Sequence, residues 1–583
     1  LTRTNFPYEF AQVAGIPIAK EFQDSDKAQP AWALKMLRAA FEGRYNLEEF
    51  LANTAWVFQN ELPQLEPTEV VQLLASLDFE KILGHYLPKM GYVQGGGRPN
   101  SLADYIATFQ TDEPTKMVEL FRDGRDLDAY FGHNFIGGLN PILLRRVIAE
   151  ETPGVACLTM SQLHEKMDLS TSMLDPEHFA NVDFDDLVAA RRLFYVDYHE
   201  LQDLENGVHP YQETPKYIYS PMIVLGLNDR GQLWPIAIQT GQDPSYACFS
   251  PKDGYGWMIA KTIVQAADSS YHEMISHLAH THLVIEAVAL CAKRTFAEGH
   301  PVYRLLNPHF EGTFPINQLA VRKLIQPGQA VDRLVGSNME SNYSFIAQCR
   351  LNFHVRDRFL PNDLKMRGLD HDSVPAEQFH YHYREDALLV WDAIQNWTRS
   401  YLANHYQNDS AVAYDQPLQL WLQDMREAGQ LKGLTQSADG QIVTIDELAE
   451  LLGGLIFIAG SQHAALNFAQ GTHGNFTPGA NLSGYQPAPK VKRANYTEKD
   501  WLAFLPPIDV AILQKTSVTF LSKVQHTRLG HYGLTYFWGQ DRRAQLGFLL
   551  ELRRVEQKIK QRNENREAYV HLLPSRIPQS TNI

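Results

Sequence analysis

Between 451 and 489 the chain carries no Asp, Glu, Lys or Arg. The part from about 445 to 470 has the length of a helix, and a helix that is apolar all round belongs in a protein interior. A stretch from about 256 to 298 is the second expected central helix. The first ninety residues also read as helical. Segments 31–41, 47–62 and 69–83 place apolar residues three and four apart, with Pro63, Pro67 and Pro88 punctuating them, and no alternating strand pattern stands out there. Strand-like patterning clusters at 217–225 (YIYSPMIVL) and 233–239 (LWPIAIQ), separated by the turn-rich GLNDRGQ. These predict a small antiparallel hairpin.

A sheet that small cannot organise 583 residues. The predicted fold is mainly α: a large single helical domain around two long central helices, with a small antiparallel β-hairpin or sheet. Gly95-Gly96-Gly97-Arg98-Pro99 marks either a flexible join or a loop within one domain. The division read from it is a helical region over 1–95 and the main domain over 96–583. The three glycines are not followed by Lys-Ser/Thr, which argues against a phosphate loop.

Net charge narrows the partners. At −15 the chain lacks the basic footprint of a nucleic-acid binder. Peripheral membrane contact would have to come through a local apolar patch. Cys157, Cys248, Cys291 and Cys349 lie far apart, which excludes a cysteine zinc site and a disulfide scaffold and fits a reducing compartment. The uncharged run 451–460 is too short to span a bilayer. A soluble, cytoplasmic monomer is the expectation. The chain begins at Leu1 without Met, so a preceding segment stays open.

Histidines carry the candidate chemistry. The stretch 276–282 reads SHLAHTH, with His272 just upstream. His272-Glu273 begins an HExxxH string, but the zinc-protease spacing would need a histidine where Ser276 stands. At about 100° per residue, His277 and His280 lie roughly 60° apart on a helix and His277 and His282 roughly 140°. Regular geometry thus favours 277 with 280, whereas a π-type bulge would bring 277 and 282 onto one face. Ordinary hydrogen-bonded histidines are the plain alternative. In HAALN, His463 and Asn467 are four apart and share a face. An imidazole and an amide oxygen in a charge-free segment suit a borderline metal such as iron, or else a buried hydrogen bond.

Taken in order, these stretches resemble the lipoxygenase family. HLAHTHLVIEAVALCAKRTFAEGHPVYRLLNPH at 277–309 resembles its first iron helix, with Glu286 and the HP-x3-LL-x-PH tail. HAALNFAQ at 463–470 resembles its second. FGHNFIGGLNP at 131–141, with a flavour closer to animal than plant members, WPIAIQ at 234–239 and the ending LLPSRIPQSTNI fit as well. The matches run from about residue 120 to the last. No counterpart of the N-terminal β-barrel lipid-binding domain of plant and animal members stands out, and residues 1–95 are expected to form a lid or substrate-access element.

The resemblance implies one non-haem iron (Fe2+/Fe3+) held by His277, His282, His463, the terminal carboxylate of Ile583 and, weakly, Asn467. His280 and His272 fall outside that set. It implies that Glu273 and Gln470 link the substrate channel to the metal helices by hydrogen bonds. It places the family's R/S product switch at an Ala or Gly after the first metal helix, best matched by Ala347. The implied reaction is dioxygenation of polyunsaturated fatty acids, free or esterified, carrying a cis,cis-1,4-pentadiene. Ferric hydroxide takes a hydrogen atom, O2 adds to the radical, and a hydroperoxide results. The alternatives are a hydroperoxide isomerase or epoxyalcohol synthase on the same fold, and an inactive lipid-binding protein. The choice of 277 with 282 requires a π-type turn between them.

Overall fold

The computed structural model describes residues 7–13, 15–26, 32, 35, 97–109, 116–124, 127–210, 213–524, 527–533 and 535–583. The helices expected at 47–62 and 69–83, and nearly all of 31–41, lie outside the described residues. Part of the region expected to be helical is instead a β-hairpin. Strands β1 (Phe10–Val13) and β2 (Ile16–Ala19) pair antiparallel from Phe10↔Ala19 to Val13↔Ile16. Gly15, at φ 84, supplies the left-handed turn that breaks the segment into two short runs.

The hairpin expected from the strand pattern is the centre of a five-stranded antiparallel sheet. Its order is β3 (Arg145–Arg146), β4 (Leu193–Asp197), β5 (Met222–Leu227), β6 (Leu233–Gln239) and β7 (Cys248–Phe249). The first predicted strand begins at 222 rather than 217. Tyr217 pairs instead with Gly484, and Pro221, which has no N–H to donate, separates the two pairings. Helix α1 (Leu127–Gly137) lies directly on β6. A Cβ at Gly132 would run into the Leu233 carbonyl, which explains the small residue within FGHNFIGG.

Two central rods carry the interior. The first joins α2 (Tyr255–Tyr271), a π-helical segment (His272–His282) and α3 (Leu283–Thr295) without a break. After helices α4 (Thr313–Lys323), α5 (Met339–Leu351) and α6 (His382–Leu402), the second rod joins α7 (Ile445–Phe457), a short π segment (Ile458–Gln462) and α8 (His463–Asn467). Both rods are long and apolar enough to cross a membrane by length and composition, yet their most apolar windows are 94% and 100% buried inside the protein. They are the core. Every residue from Leu283 to Ala292 is buried, and each such Leu, Ile or Val contributes about 1.5–3 kcal/mol.

Helices α9 (Ile508–Lys523) and α10 (Gly539–Asn563) follow, the latter packed along α6. The tail then returns to the interior, and residues 577–583 are all buried. It reaches the second rod at Gly460, where a Cβ would stand 2.9 Å from the Pro578 carbonyl oxygen.

Candidate metal centre

The first rod widens where the histidines lie. Leu283 N–H bonds back five residues to the Leu278 carbonyl, and the Thr281 hydroxyl bonds to the His277 carbonyl. The widened turn puts positions five apart on one face. The Nε2 atoms of His277 and His282 are 3.3 Å apart. From the second rod His463 completes the cluster: one donor atom from each of the three rings lies within 4.8 Å of the others. The terminal residue closes it, with an Ile583 oxygen 3.1 Å from His463 Nε2.

The hydrogen bonds around the cluster fix one ring's proton. Asn317 on α4 donates through Nδ2 to the His282 carbonyl (3.2 Å) and to Glu286 Oε2 (2.6 Å), so its Oδ1 accepts from His282 Nδ1–H at 2.7 Å. The Nε2 of neutral His282 is therefore a bare lone pair. On His277, Nδ1 faces Glu273 Oε2 at 3.7 Å, again leaving Nε2 to the centre. Burial lowers the pKa of all three imidazoles, that of His282 to about 3, which keeps them neutral. Three neutral imidazoles and a terminal oxygen thus converge, a set that can surround a cation. The donor set, nitrogen-rich with one carboxylate, fits a borderline metal such as iron.

The remaining histidines turn elsewhere. His280 packs its ring 4.8 Å from that of Phe353. His272 joins the rods through Nε2 to the Leu466 carbonyl at 3.2 Å. Asn467, one turn past His463, donates to the Leu521 carbonyl at 2.9 Å and accepts from Gln470 Nε2 at 3.3 Å. The expected link from Glu273 to Gln470 does not close in the structure. Glu273 faces His272 and His277, whereas Gln470 is engaged with Asn467 and its Oε1 is buried without a hydrogen-bond partner. Burial raises the Glu273 carboxyl, but the two histidines outweigh it and hold it down at about 2.

Comparison with known proteins places the fold. A lipoxygenase family model matches residues 105–579. The chain belongs to the lipoxygenase family. It is 36% identical over 512 residues to a linoleate 9/13-lipoxygenase of Pseudomonas aeruginosa, covering 84% of this chain and 71% of the relative. It is 29% identical over 463 residues to a hydroperoxide isomerase of Rattus norvegicus, covering 78% of this chain and 62% of that one. Its fold matches that of a coral 8R-lipoxygenase with a TM-score of 0.77 at 26% identity, covering 99% of this chain and 79% of that one. Family membership makes the protein an oxidoreductase of the dioxygenase class.

In this lipoxygenase two of the three histidines and the last residue border an apolar chamber. His277, His282 and Ile583 line it together with Leu278, Ile316, Leu324, Leu334 and Leu521. Here the expectation for Ala347 fails. On α5 the residues that face the chamber are Met339, Asn342 and Ile346, at helical spacing, and Ala347 is not among them. Gly15 of the β1–β2 turn lies against Ala347 instead. The alanines that line the chamber are Ala320 on α4 and Ala330.

Asn317 and Ala320 are the residues that sequence reasoning missed. Their one signal was a spacing of three within TFPINQLA, which puts both on one helix face. His309, noted only as the end of a motif, holds the tail: its Nδ1–H bonds to the Gln579 carbonyl at 2.6 Å.

Proposed function

We propose that the protein is an iron-dependent fatty-acid dioxygenase that converts polyunsaturated fatty acids with a cis,cis-1,4-pentadiene into hydroperoxides. The observation that carries this reading is the meeting of three neutral, inward-facing imidazoles with the C-terminal residue beside an apolar chamber. His277, His282, His463 and the Ile583 carboxylate would hold the metal, with Asn467 as a weaker donor. Bound there, non-haem iron supplies one-electron redox chemistry, through the Fe3+/Fe2+ couple, for removing a hydrogen atom from the doubly allylic carbon. The linoleate named for the Pseudomonas relative supports this substrate class.

The chain's own residues do the rest. The apolar walls bind the acyl chain and keep water from the reacting carbon. Asn317 sets the tautomer and direction of His282. Burial keeps the imidazoles unprotonated, so no proton has to leave before they bind the metal. Overall, one O2 is added to the fatty acid and no external reductant is consumed.

The test is oxygen uptake by the iron-loaded protein with linoleic and arachidonic acids, with chiral analysis of the products. Uptake with formation of conjugated-diene hydroperoxide is expected. No uptake, with added hydroperoxide consumed, would favour the isomerase reading that the Rattus relative suggests. Purified protein that takes up no iron would favour the inactive lipid binder.

A further inference from the structure

Among the described residues, helix α10 carries a face that no other element packs against. Phe548, Leu552, Val555 and Ile559 are buried, and they define its inner side. On the outer side Leu546 is 46% exposed and Leu550 53% exposed, and Trp538, at the start of the same helix, is 66% exposed. Arg543, Arg553 and Arg554 surround the two leucines, within about 100° of the helix circumference, and Lys558 follows. None of these four cations has an ion pair among the described residues.

The acids of α10 are kept off that face. Asp541 is buried and bonded to Asn404 and His405. Glu551 accepts from Asn396 on α6. Glu556 is engaged with Lys560 and Ser575. The result is a purely cationic apolar strip on a chain whose net charge is −15.

The strip continues into a basic groove. Gly530 lies against Leu549 and Leu552 of α10, and the adjoining groove of about 510 Å3 is lined by Arg528, His531 and Arg576.

We propose that this outer face of α10, with the groove beside it, docks the protein onto an anionic phospholipid bilayer. Leu546 and Leu550 enter the boundary between headgroups and acyl chains, while the arginines pair with lipid phosphates. A central apolar pair rimmed by cations is the pattern of a helix lying in a membrane interface. A second copy of the chain fits poorly, because a two-fold contact through this face would set arginine against arginine. The inference concerns where the protein sits and does not depend on the chemistry of the metal centre.

The test is co-sedimentation of the full chain with vesicles of phosphatidylcholine alone and of a two-to-one mixture with phosphatidylserine. Binding to the mixture is expected, weakening as salt rises. Replacing Arg543→Gln, Arg553→Gln and Arg554→Gln together should weaken it by on the order of a hundredfold, about fivefold per arginine. Leu546→Ser with Leu550→Ser should weaken it by about tenfold or more, with the melting temperature unchanged in both variants. Equal binding to the two vesicle types, or full binding by the arginine variant, would overturn the proposal. So would a leucine variant that dissociates a dimer on gel filtration while binding vesicles as before, since that would assign the face to a second copy. If a variant melts early, the salt series on the unmodified protein decides, and salt-independent binding counts against the proposal.

Discussion

His282 and Asn317 share one hydrogen bond that settles which nitrogen of the imidazole faces the histidine cluster. Asn317 Oδ1 accepts from His282 Nδ1–H at 2.7 Å, while Asn317 Nδ2 is committed to Glu286 at 2.6 Å. Glu286 in turn accepts from the Ala19 backbone N–H of β2 at 2.8 Å. Replacing Asn317→Leu removes the acceptor and leaves the buried Glu286 short of a donor. Iron affinity should fall by about 10- to 100-fold and stability by about 1–3 kcal/mol. Competition with a chelator and a denaturant titration read the two effects separately, and unchanged affinity would deny Asn317 its orienting role.

The terminal residue should be needed for iron and dispensable for folding. The Thr313–Thr581 hydroxyl contact (2.9 Å) and the bond from Trp32 Nε1 to the Asn582 carbonyl (2.7 Å) hold the tail before Ile583 is reached. Deleting Ile583 draws the carboxylate back by about one residue, roughly 3.3 Å, out of reach of the cluster. Iron content should fall to near zero with the melting transition largely kept. A variant extended beyond Ile583 that retained both iron and activity would contradict the carboxylate's role.

His280 and His282 should behave differently although both lie in SHLAHTH. His282→Gln should lose iron. His280→Gln should keep iron near the unmodified level, because its ring packs on Phe353 rather than on the triad. Metal analysis of the two purified variants decides, and the reverse order of iron contents would overturn the assignment.

Ala320, not Ala347, should control how substrate sits. Ala320→Ile adds bulk inside the chamber. It should raise KM for linoleate by about tenfold, in line with roughly 1–3 kcal/mol for a misplaced methylene, or shift the product regiochemistry. Ala347→Gly faces the β1–β2 turn and should leave the product pattern unchanged. Product chromatography of both variants checks the contrast.

A second group of histidines should make the fold acid-sensitive. His133 and His382 stack edge to face at 4.7 Å, and both His382 nitrogens are buried. His473 accepts from or donates to Tyr130 at 2.8 Å, and its ring lies 6.2 Å from that of His571. Burial lowers all four, with further lowering by Lys116, Arg566 and Arg576. His133 falls to about 4, His473 and His571 to about 3, and His382 to about 2. The unfolded chain therefore binds more protons than the folded one below about pH 6.5. Stability is fully present above that pH and falls as pH drops toward the folded values, by up to about 1.4 kcal/mol per pH unit for each histidine. Melting temperatures should be clearly lower at pH 5 than at pH 7.5, and less so after His382→Phe. Equal melting at the two pH values would refute this account.

Much of the site was legible because its ligands fall in short strings. His463 and Asn467 stand at helical spacing within a charge-free segment, whereas His282 and Ile583 entered only through the family resemblance. The two rods were legible for the same reason, since a helix apolar all round has only the interior to occupy. Residues such as Asn317 and Ala320 were not, because their meaning depends on which face of α4 meets the first rod. Ala347 shows the same gap from the other side. One position along α5 separates it from Ile346, yet only Ile346 faces the chamber.

The sequence by itself determined the mainly helical class and the two buried rods through local spacing, and it pointed to the family and the candidate ligands through the resemblance of strings read in order. Only the tertiary structure decided that the first rod widens over eleven residues, that the Glu273–Gln470 link stays open, and which nitrogen of His282 is bare. It also decided that the start of the chain contributes a β-hairpin whose backbone reaches Glu286. Those outcomes depend on contacts between residues tens to hundreds of positions apart, and packing rather than local preference chooses among them.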